Sequence, residues 1–280
     1  MSTEVLTVVL FSALLHAGWN AAVRASGDKL LASWQVVCGA TLLSLPLLVW
    51  LPLPAPASWP WLLASGLIHV LYFVLVARAY QGAALGLAYP LMRGTAPVLT
   101  AAAAALWLQE TPTPLGAMGI ALICAGVLVL AGRAWRQGLA HPGATWAALA
   151  NAAVIALYTV VDGQGVRLAG HALAYTAWLF TFTALFMLPA LLWWRGRAAL
   201  RPAARAWRVL LLGGAGTLGA YSLVLWAMTR APIASVAALR ETSIVFAALI
   251  GALLLKEGLG RWRLASALLV CAGAVLLRLD

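Results

Sequence analysis

Charge is scarce in this chain. Only 9% of its 280 residues are charged, and seven of them are acidic. Soluble domains carry about 25% charged residues, so a water-exposed surface of ordinary composition is excluded. Cysteine is scarce too. Cys38, Cys124 and Cys271 each lie inside an apolar run, with no close pair. That excludes a disulfide framework and a cysteine metal site. The N-terminus, Met1 to Glu4, lacks the basic stretch of a secretory signal. The first apolar run is therefore expected to stay as a helix. No polar break is long enough for a soluble domain. No glycine-rich phosphate loop is present, so no ATP drive is encoded. His16 and His69 fall in different apolar runs with no metal motif beside them, so no metal and no cofactor are expected. Ser12 stands one turn before His16, which is too little for a hydrolase. The chain is not expected to be an enzyme.

Apolar residues supply the rest. They make up 64% of the chain, and the mean hydropathy is +0.97. A bilayer is the solvent that suits such a composition. A spanning helix needs roughly 20 mostly apolar residues. Ten segments qualify, at about 4–23, 32–52, 60–80, 83–108, 114–132, 143–162, 172–194, 207–229, 231–255 and 261–279. The expected fold class is therefore an all-α integral membrane protein with ten transmembrane helices.

The net charge is +11, but the arginines form short clusters between apolar runs, not a basic face. They read as topology determinants, and no nucleic-acid partner is expected. Loops 1–2, 5–6, 7–8 and 9–10 hold Arg24, Lys29, Arg133, Arg136, Arg195, Arg197, Arg201, Arg205, Arg208, Lys256, Arg261 and Arg263. The opposite side has little beyond Arg167 and Arg230. The first set is expected to be cytoplasmic, with both termini outside. Trp59, Trp61, Trp193 and Trp194, near helix ends, suit an interfacial belt.

The chain repeats itself at a spacing of 147 residues. Arg93 and Arg240 match, as do Thr95 and Thr242, and Glu110 and Glu257. Cys124-Ala125-Gly126 matches Cys271-Ala272-Gly273 in the same register. Gly66 and Gly214 add a weaker match. The units are expected at 1–135 and 136–280. Each holds five helices. An odd number sends the second copy into the membrane from the opposite side. The expected plan is two inverted repeats with a binding site near the midplane between them.

The segment Ala13-Leu14-Leu15-His16-Ala17-Gly18-Trp19-Asn20 and the ends of the two halves carry a resemblance. Those ends are Glu110, Gly116, Gly119 and Ile123 to Leu128, echoed by Glu257 and Leu269 to Gly273. The chain resembles the EamA-type ten-helix members of the drug/metabolite transporter superfamily over nearly its whole length. The resemblance implies a pathway lined by helices 1, 3, 4, 6, 8 and 9, with 5 and 10 peripheral. It leaves the substrate open. Many relatives are described with their termini inside; the arginine distribution here points the other way.

Polar side chains in a bilayer usually face the bundle interior or a cavity. His16, Trp19 and Asn20 share one face of helix 1 by their i, i+3, i+4 spacing. His69, Tyr72 and Tyr80 fall on a broad face of helix 3. Tyr89, Arg93 and Pro97 form a stripe on helix 4. Asn151 and Tyr158 stand on helix 6, Tyr221 and Trp226 on helix 8, and Arg240, Glu241 and Ser243 on helix 9. The candidate cavity residues are His16, Trp19, Asn20, His69, Tyr72, Tyr89, Arg93, Tyr158, Tyr221, Trp226, Arg240 and Glu241. A guanidinium grips a carboxylate or phosphate through parallel hydrogen bonds, so Arg93 and Arg240 point to an anionic group on the substrate. Pairing of either arginine with a neighbouring carboxylate is the competing reading. Glu110 and Glu257 are expected to serve helix ends.

Together these features lead to a secondary transporter of the bacterial inner membrane. It would export amino acids or related small metabolites by alternating access. Efflux of cationic or amphiphilic toxins, transport of anionic phosphorus-containing metabolites, and a non-transport accessory role remain as alternatives. The expected partners are a small-molecule substrate and membrane lipid, with the chain a monomer or homodimer.

Overall fold

A computed structural model describes residues 1–24, 29–82, 85–138, 141–196, 207–254 and 260–280. The expected loop residues Arg197, Arg201, Arg205, Lys256 and Glu257 lie outside the described residues, as do the side chains of Arg24, Lys29, Tyr80, Trp194 and Arg195. The described residues form an all-helical bundle. The helices are α1 (Thr3–Arg24), α2 (Lys29–Trp50), α3 (Trp59–Gly82), α4 (Leu85–Trp107), α5 (Pro114–Arg136), α6 (Pro142–Ala169), α7 (Ala172–Arg195), α8 (Gly214–Met228), α9 (Ile233–Arg240), α10 (Ser243–Leu254) and α11 (Arg261–Leu279). A 3₁₀ turn, Pro56–Ser58, leads into α3, and a π-helical turn, Val209–Gly213, leads into α8. A 22-residue helix such as α1 is about 33 Å long, enough to cross the hydrocarbon core.

Among the described residues the helices fall on the ten expected runs, the ninth in two pieces, and eight are long and apolar enough to cross a membrane by length and composition. A single helix over 231–255 is corrected to α9 and α10, broken at Glu241-Thr242. There the amides of Glu241, Thr242, Ile244 and Val245 donate to carbonyls three residues back, at 2.9–3.0 Å. That is 3₁₀ geometry, which often marks a functional hinge when it interrupts a helix. The Thr242 hydroxyl donates to Leu239 O at 2.7 Å. The sixth run is also corrected. It continues beyond 162 to Ala169, because the Asp162 carboxylate is satisfied by tyrosine hydroxyls within the bundle and does not end the helix. The stop comes at Gly170, which takes the left-handed conformation at φ 79°.

The halves are inverted repeats, with α1 to α5 answering to α6, α7, α8, α9–α10 and α11. The packing respects that exchange. α3 lies on α6 and α1 on α8; α3 lies on α7 and α8 on α2. α2 meets its counterpart α7, and α5 meets α11. The α5–α11 contact shows the symmetry atom by atom. A Cβ on Gly126 would lie 2.9 Å from Ser266 O; one on Gly273 would lie 2.6 Å from Gly119 O. Adding 147 to Gly126 and Gly119 gives Gly273 and Ser266, so the two contacts are copies of each other. Small residues at a membrane helix interface permit this close approach.

Both termini lie at one end of the bundle. Arg278 donates to Met1 O at 2.7 Å and to Thr3 Oγ1 at 2.8 Å. Thr113 caps α5, accepting from Gly116 N at 3.0 Å, and its hydroxyl also hydrogen-bonds Asp280. Arg136 at the end of α5 and Arg261 at the start of α11 stand at the opposite end.

Candidate functional site

Helix α4 is where the halves meet at mid-depth. Its Arg93 Nε donates to Glu241 Oε2 at 2.9 Å, and Nη2 lies 2.8 Å from Oε1. Both residues are buried. Glu241 stands at the break between α9 and α10, so this ion pair fastens the first half to the hinge of the second. Glu241 neutralises Arg93, yet Nη2 makes an ion-pair contact without a well-aligned hydrogen bond, and Arg93 still lines the cavity.

Arg240 is different. It is the repeat counterpart of Arg93, while the counterpart of Glu241 is Gly94. The second arginine thus lacks the carboxylate that symmetry would supply. Its guanidinium lies 5.1 Å from the centroid of the Tyr221 ring. Among the described residues it forms no ion pair, and its buried Nε has no hydrogen-bond partner.

Around Arg240 is a cavity of about 120 Å³. That is close to the ~150 Å³ that accepts a benzene-sized molecule. Ten of the twelve expected residues line it: His16, Trp19 and Asn20 of α1, His69 and Tyr72 of α3, Tyr89 and Arg93 of α4, Tyr158 of α6, Tyr221 of α8, and Arg240 of α9. Helical spacing explains the groupings. His16 and Trp19 meet edge to face with centroids 5.1 Å apart, and Asn20 Nδ2 donates to His16 O at 3.0 Å. His69 lies against Tyr158 at 4.4 Å, and Tyr72 meets the same ring edge-on at 5.7 Å. Three further polar atoms of lining residues have no hydrogen-bond partner among the described residues: the donors Trp19 Nε1 and Arg93 Nη2, the latter in ion-pair contact with Glu241, and the acceptor Asn151 Oδ1. Buried polar atoms without partners are uncommon and need a reason. All four belong to residues of one cavity wall.

Two expected residues do not line the cavity. Trp226 lies five positions beyond Tyr221, turned to another face, with Arg230 4.4 Å from its ring. Glu241 is committed to Arg93. The cavity also takes Ser33, Val36 and Val37 from α2, and Leu179, Phe180 and Thr183 from α7. The sequence reading omitted both helices, because apolar and hydroxyl side chains there look no different from packing residues. Asp162 of α6 is a further polar group beside this wall. It is fully buried, accepting from Tyr175 OH at 3.1 Å and Tyr221 OH at 2.5 Å.

The cavity is lined by α1, α2 and α4 near the ends away from the termini, and by α6, α7 and α8 at about mid-helix. Toward the termini the helices are tied shut. Arg167 of α6 pairs with Glu110 and donates to Met228 O at 2.8 Å and Ala231 O at 3.1 Å. Glu110 also accepts from Ile233 N, the first amide of α9, at 3.0 Å. This is the helix-end role expected for Glu110.

Inverted halves, a broken helix and a cavity between them with polar groups in a largely apolar wall suit a membrane carrier. The model of the EamA-like transporter family matches residues 3–132 and 142–279; the chain belongs to that family and is a multi-pass membrane transporter. One solved structure, titled only "Crystal structure of protein", is similar over 100% of this chain and 98% of its own length, with a TM-score of 0.80 at 16% identity. At that identity the likeness concerns the fold alone. No curated protein matches the chain in sequence.

Proposed function

We propose that the chain is a secondary transporter that exports amino acids, or related small metabolites bearing one carboxylate, across a bacterial inner membrane. The observation that carries this is the asymmetry of the two arginines. Arg93 is neutralised by Glu241, while Arg240 lines the cavity with no ion pair among the described residues and a buried Nε without a partner. One available guanidinium suits a monoanion. Trp19 Nε1 adds a second donor, and Asn151 Oδ1 is placed to accept from an ammonium group. Tyr72, Tyr158 and Tyr221 offer ring faces to an apolar side chain.

The competing substrates fit less well. A phosphorylated dianion would want both arginines. A cationic toxin would want an available carboxylate, but Glu241 and Asp162 both have partners. Export follows from sidedness. α1, α2 and α4 line the cavity near the ends away from the termini, and arginine-rich loops favour the cytoplasm.

The test is counterflow in proteoliposomes over a panel of amino acids, their decarboxylated amines, phosphorylated metabolites and quaternary amines. Arg240→Gln is expected to weaken amino-acid affinity at least about tenfold, since a charge-assisted pair contributes about 1.5–3 kcal/mol. Inserted Arg240→Gln protein that carries amino acids with wild-type affinity would refute the reading.

A further inference from the structure

Asp162 has a role still to be assigned. A carboxylate with no exposed surface, in the middle of a membrane helix, is costly and usually functional. The groups facing it come from every neighbouring helix. Ser65 and His69 come from α3, Tyr175 from α7, Tyr221 from α8 and Tyr158 from its own helix. Arg240 of α9 reaches the cluster over the ring of Tyr221. Arg93 of α4 is paired with Glu241. Among the described residues Asp162 forms no ion pair; hydroxyl donors hold it.

A path joins it to the cavity. His69 lines the cavity, and its Nδ1 lies 2.9 Å from Ser65 O. A carbonyl oxygen only accepts, so Nδ1 carries the proton of the neutral ring. The same Nδ1 lies 3.2 Å from Ser65 Oγ. The Ser65 hydroxyl can then donate to the Asp162 carboxylate. A proton arriving from hydronium at Nε2 lets Nδ1 pass its own proton to Ser65 Oγ. The serine in turn passes its hydroxyl proton to Asp162. Hydronium becomes water, the carboxylate becomes a carboxylic acid, and no electrons move.

Charge counting sets the sign of the coupling. Arg93 and Glu241 cancel. What remains is Arg240, positive, and Asp162, negative, with Tyr221 between them. Its ring lies under the guanidinium and its hydroxyl lies on the carboxylate. An anion bound at Arg240 takes over the compensation of that charge. The carboxylate then holds a proton more tightly, and by reciprocity a proton on Asp162 strengthens anion binding.

We propose that Asp162 is the proton-binding site of this carrier, loaded through His69 and Ser65, and that a proton there and the substrate's anionic group at Arg240 strengthen each other's binding. The proposal rests on Arg240 as the anion site.

The test is infrared difference spectroscopy of the full chain in lipid vesicles, titrated with pH. The wild-type protein is expected to show a protonated-carboxyl band that Asp162→Asn abolishes and Asp162→Glu restores at a shifted frequency. Arg240→Gln imitates the neutralised state without any ligand. It is expected to raise the midpoint of that band by about one to two pH units. L-phenylalanine, used as the probe, is expected to raise it in the wild type only. Absence of a titrating band lost in Asp162→Asn overturns the proposal, as does an unchanged midpoint in Arg240→Gln. Phenylalanine that binds through Arg240 but leaves the band unmoved also overturns it. A midpoint that shifts in Arg240→Gln with no response to phenylalanine supports the proton site and counts against the amino-acid reading.

Discussion

Arg93 and Glu241 are 148 residues apart, one more than the repeat spacing, so their ion pair joins positions that are not counterparts. Had the halves stayed identical, position 94 would hold a carboxylate and Arg240 would be paired as Arg93 is. Gly94 removes that partner. One substitution between the repeats separates a structural arginine from an available one.

The pair should therefore behave as a unit. Arg93→Met leaves Glu241 buried and alone, and Glu241→Leu leaves Arg93 so. Each is expected to lower stability by about 3–5 kcal/mol, with the double variant Arg93→Met/Glu241→Leu close to the wild type. Thermal unfolding of the three variants in detergent measures this. Additive losses in the double variant would show that the two residues act separately.

Sidedness follows from the arginine clusters. Arg133, Arg136, Arg208, Arg261 and Arg263 all lie at the end opposite Met1 and Asp280. A reporter enzyme active only outside the cytoplasm, fused after Asp280, is expected to be active. The same reporter in the loop after Arg136 is expected to be silent. The reverse pattern would place the cavity mouth outside and turn the proposed exporter into an importer.

Most of the architecture was legible because the bilayer enforces it. Ten apolar runs need no packing detail, and the match of Arg93, Glu110 and Cys124 with Arg240, Glu257 and Cys271 exposes the duplication. The ten expected residues that line the cavity are polar or aromatic within apolar runs, where burial in lipid is costly. What could not be read was partner choice. Arg240 and Glu241 are adjacent, yet the carboxylate turns to Arg93 across the bundle because the helix breaks between α9 and α10. No periodicity argument anticipates that break, since Glu241-Thr242-Ser243 can sit in an unbroken helix. Trp226 lies outside the cavity wall and packs on the core; an aromatic side chain in an apolar run looks the same in either place, and only three-dimensional position separates them.

The glycine contacts of α5 and α11 should be structural and nothing more. A Cβ at Gly273 would lie 2.6 Å from the backbone oxygen of Gly119, which no rotamer change relieves. Gly273→Val is expected to push the helices apart and cost about 1–3 kcal/mol. Neither helix contributes a residue to the cavity wall, so substrate affinity in the folded fraction should stay within about twofold. A melting curve beside a binding isotherm separates the two effects. An affinity loss without a stability loss would mean that the periphery takes part in transport.

The cluster at Arg167 makes the sharpest mechanical claim. To release a substrate toward the termini, α4, α6 and the turn between α8 and α9 must separate, and Arg167 holds all three. Its guanidinium pairs with Glu110 and with two carbonyls, at Met228 and Ala231. Arg167→Ala removes these ties together and leaves the cavity wall untouched. Glu110→Gln removes only the charge. Neither side chain is deeply buried, so the ion pair alone contributes on the order of 1 kcal/mol. The carbonyl contacts add to that. The shift toward a conformer open at the termini should therefore be graded, small in Glu110→Gln and larger in Arg167→Ala. A single cysteine at Asn151, in a background lacking Cys38, Cys124 and Cys271, reports it. An impermeant thiol reagent applied from the side of the termini should label Asn151→Cys slowly alone, faster with Glu110→Gln, and fastest with Arg167→Ala. Equal rates in all three would show that the seal lies elsewhere, and that the Arg167 cluster only caps helices.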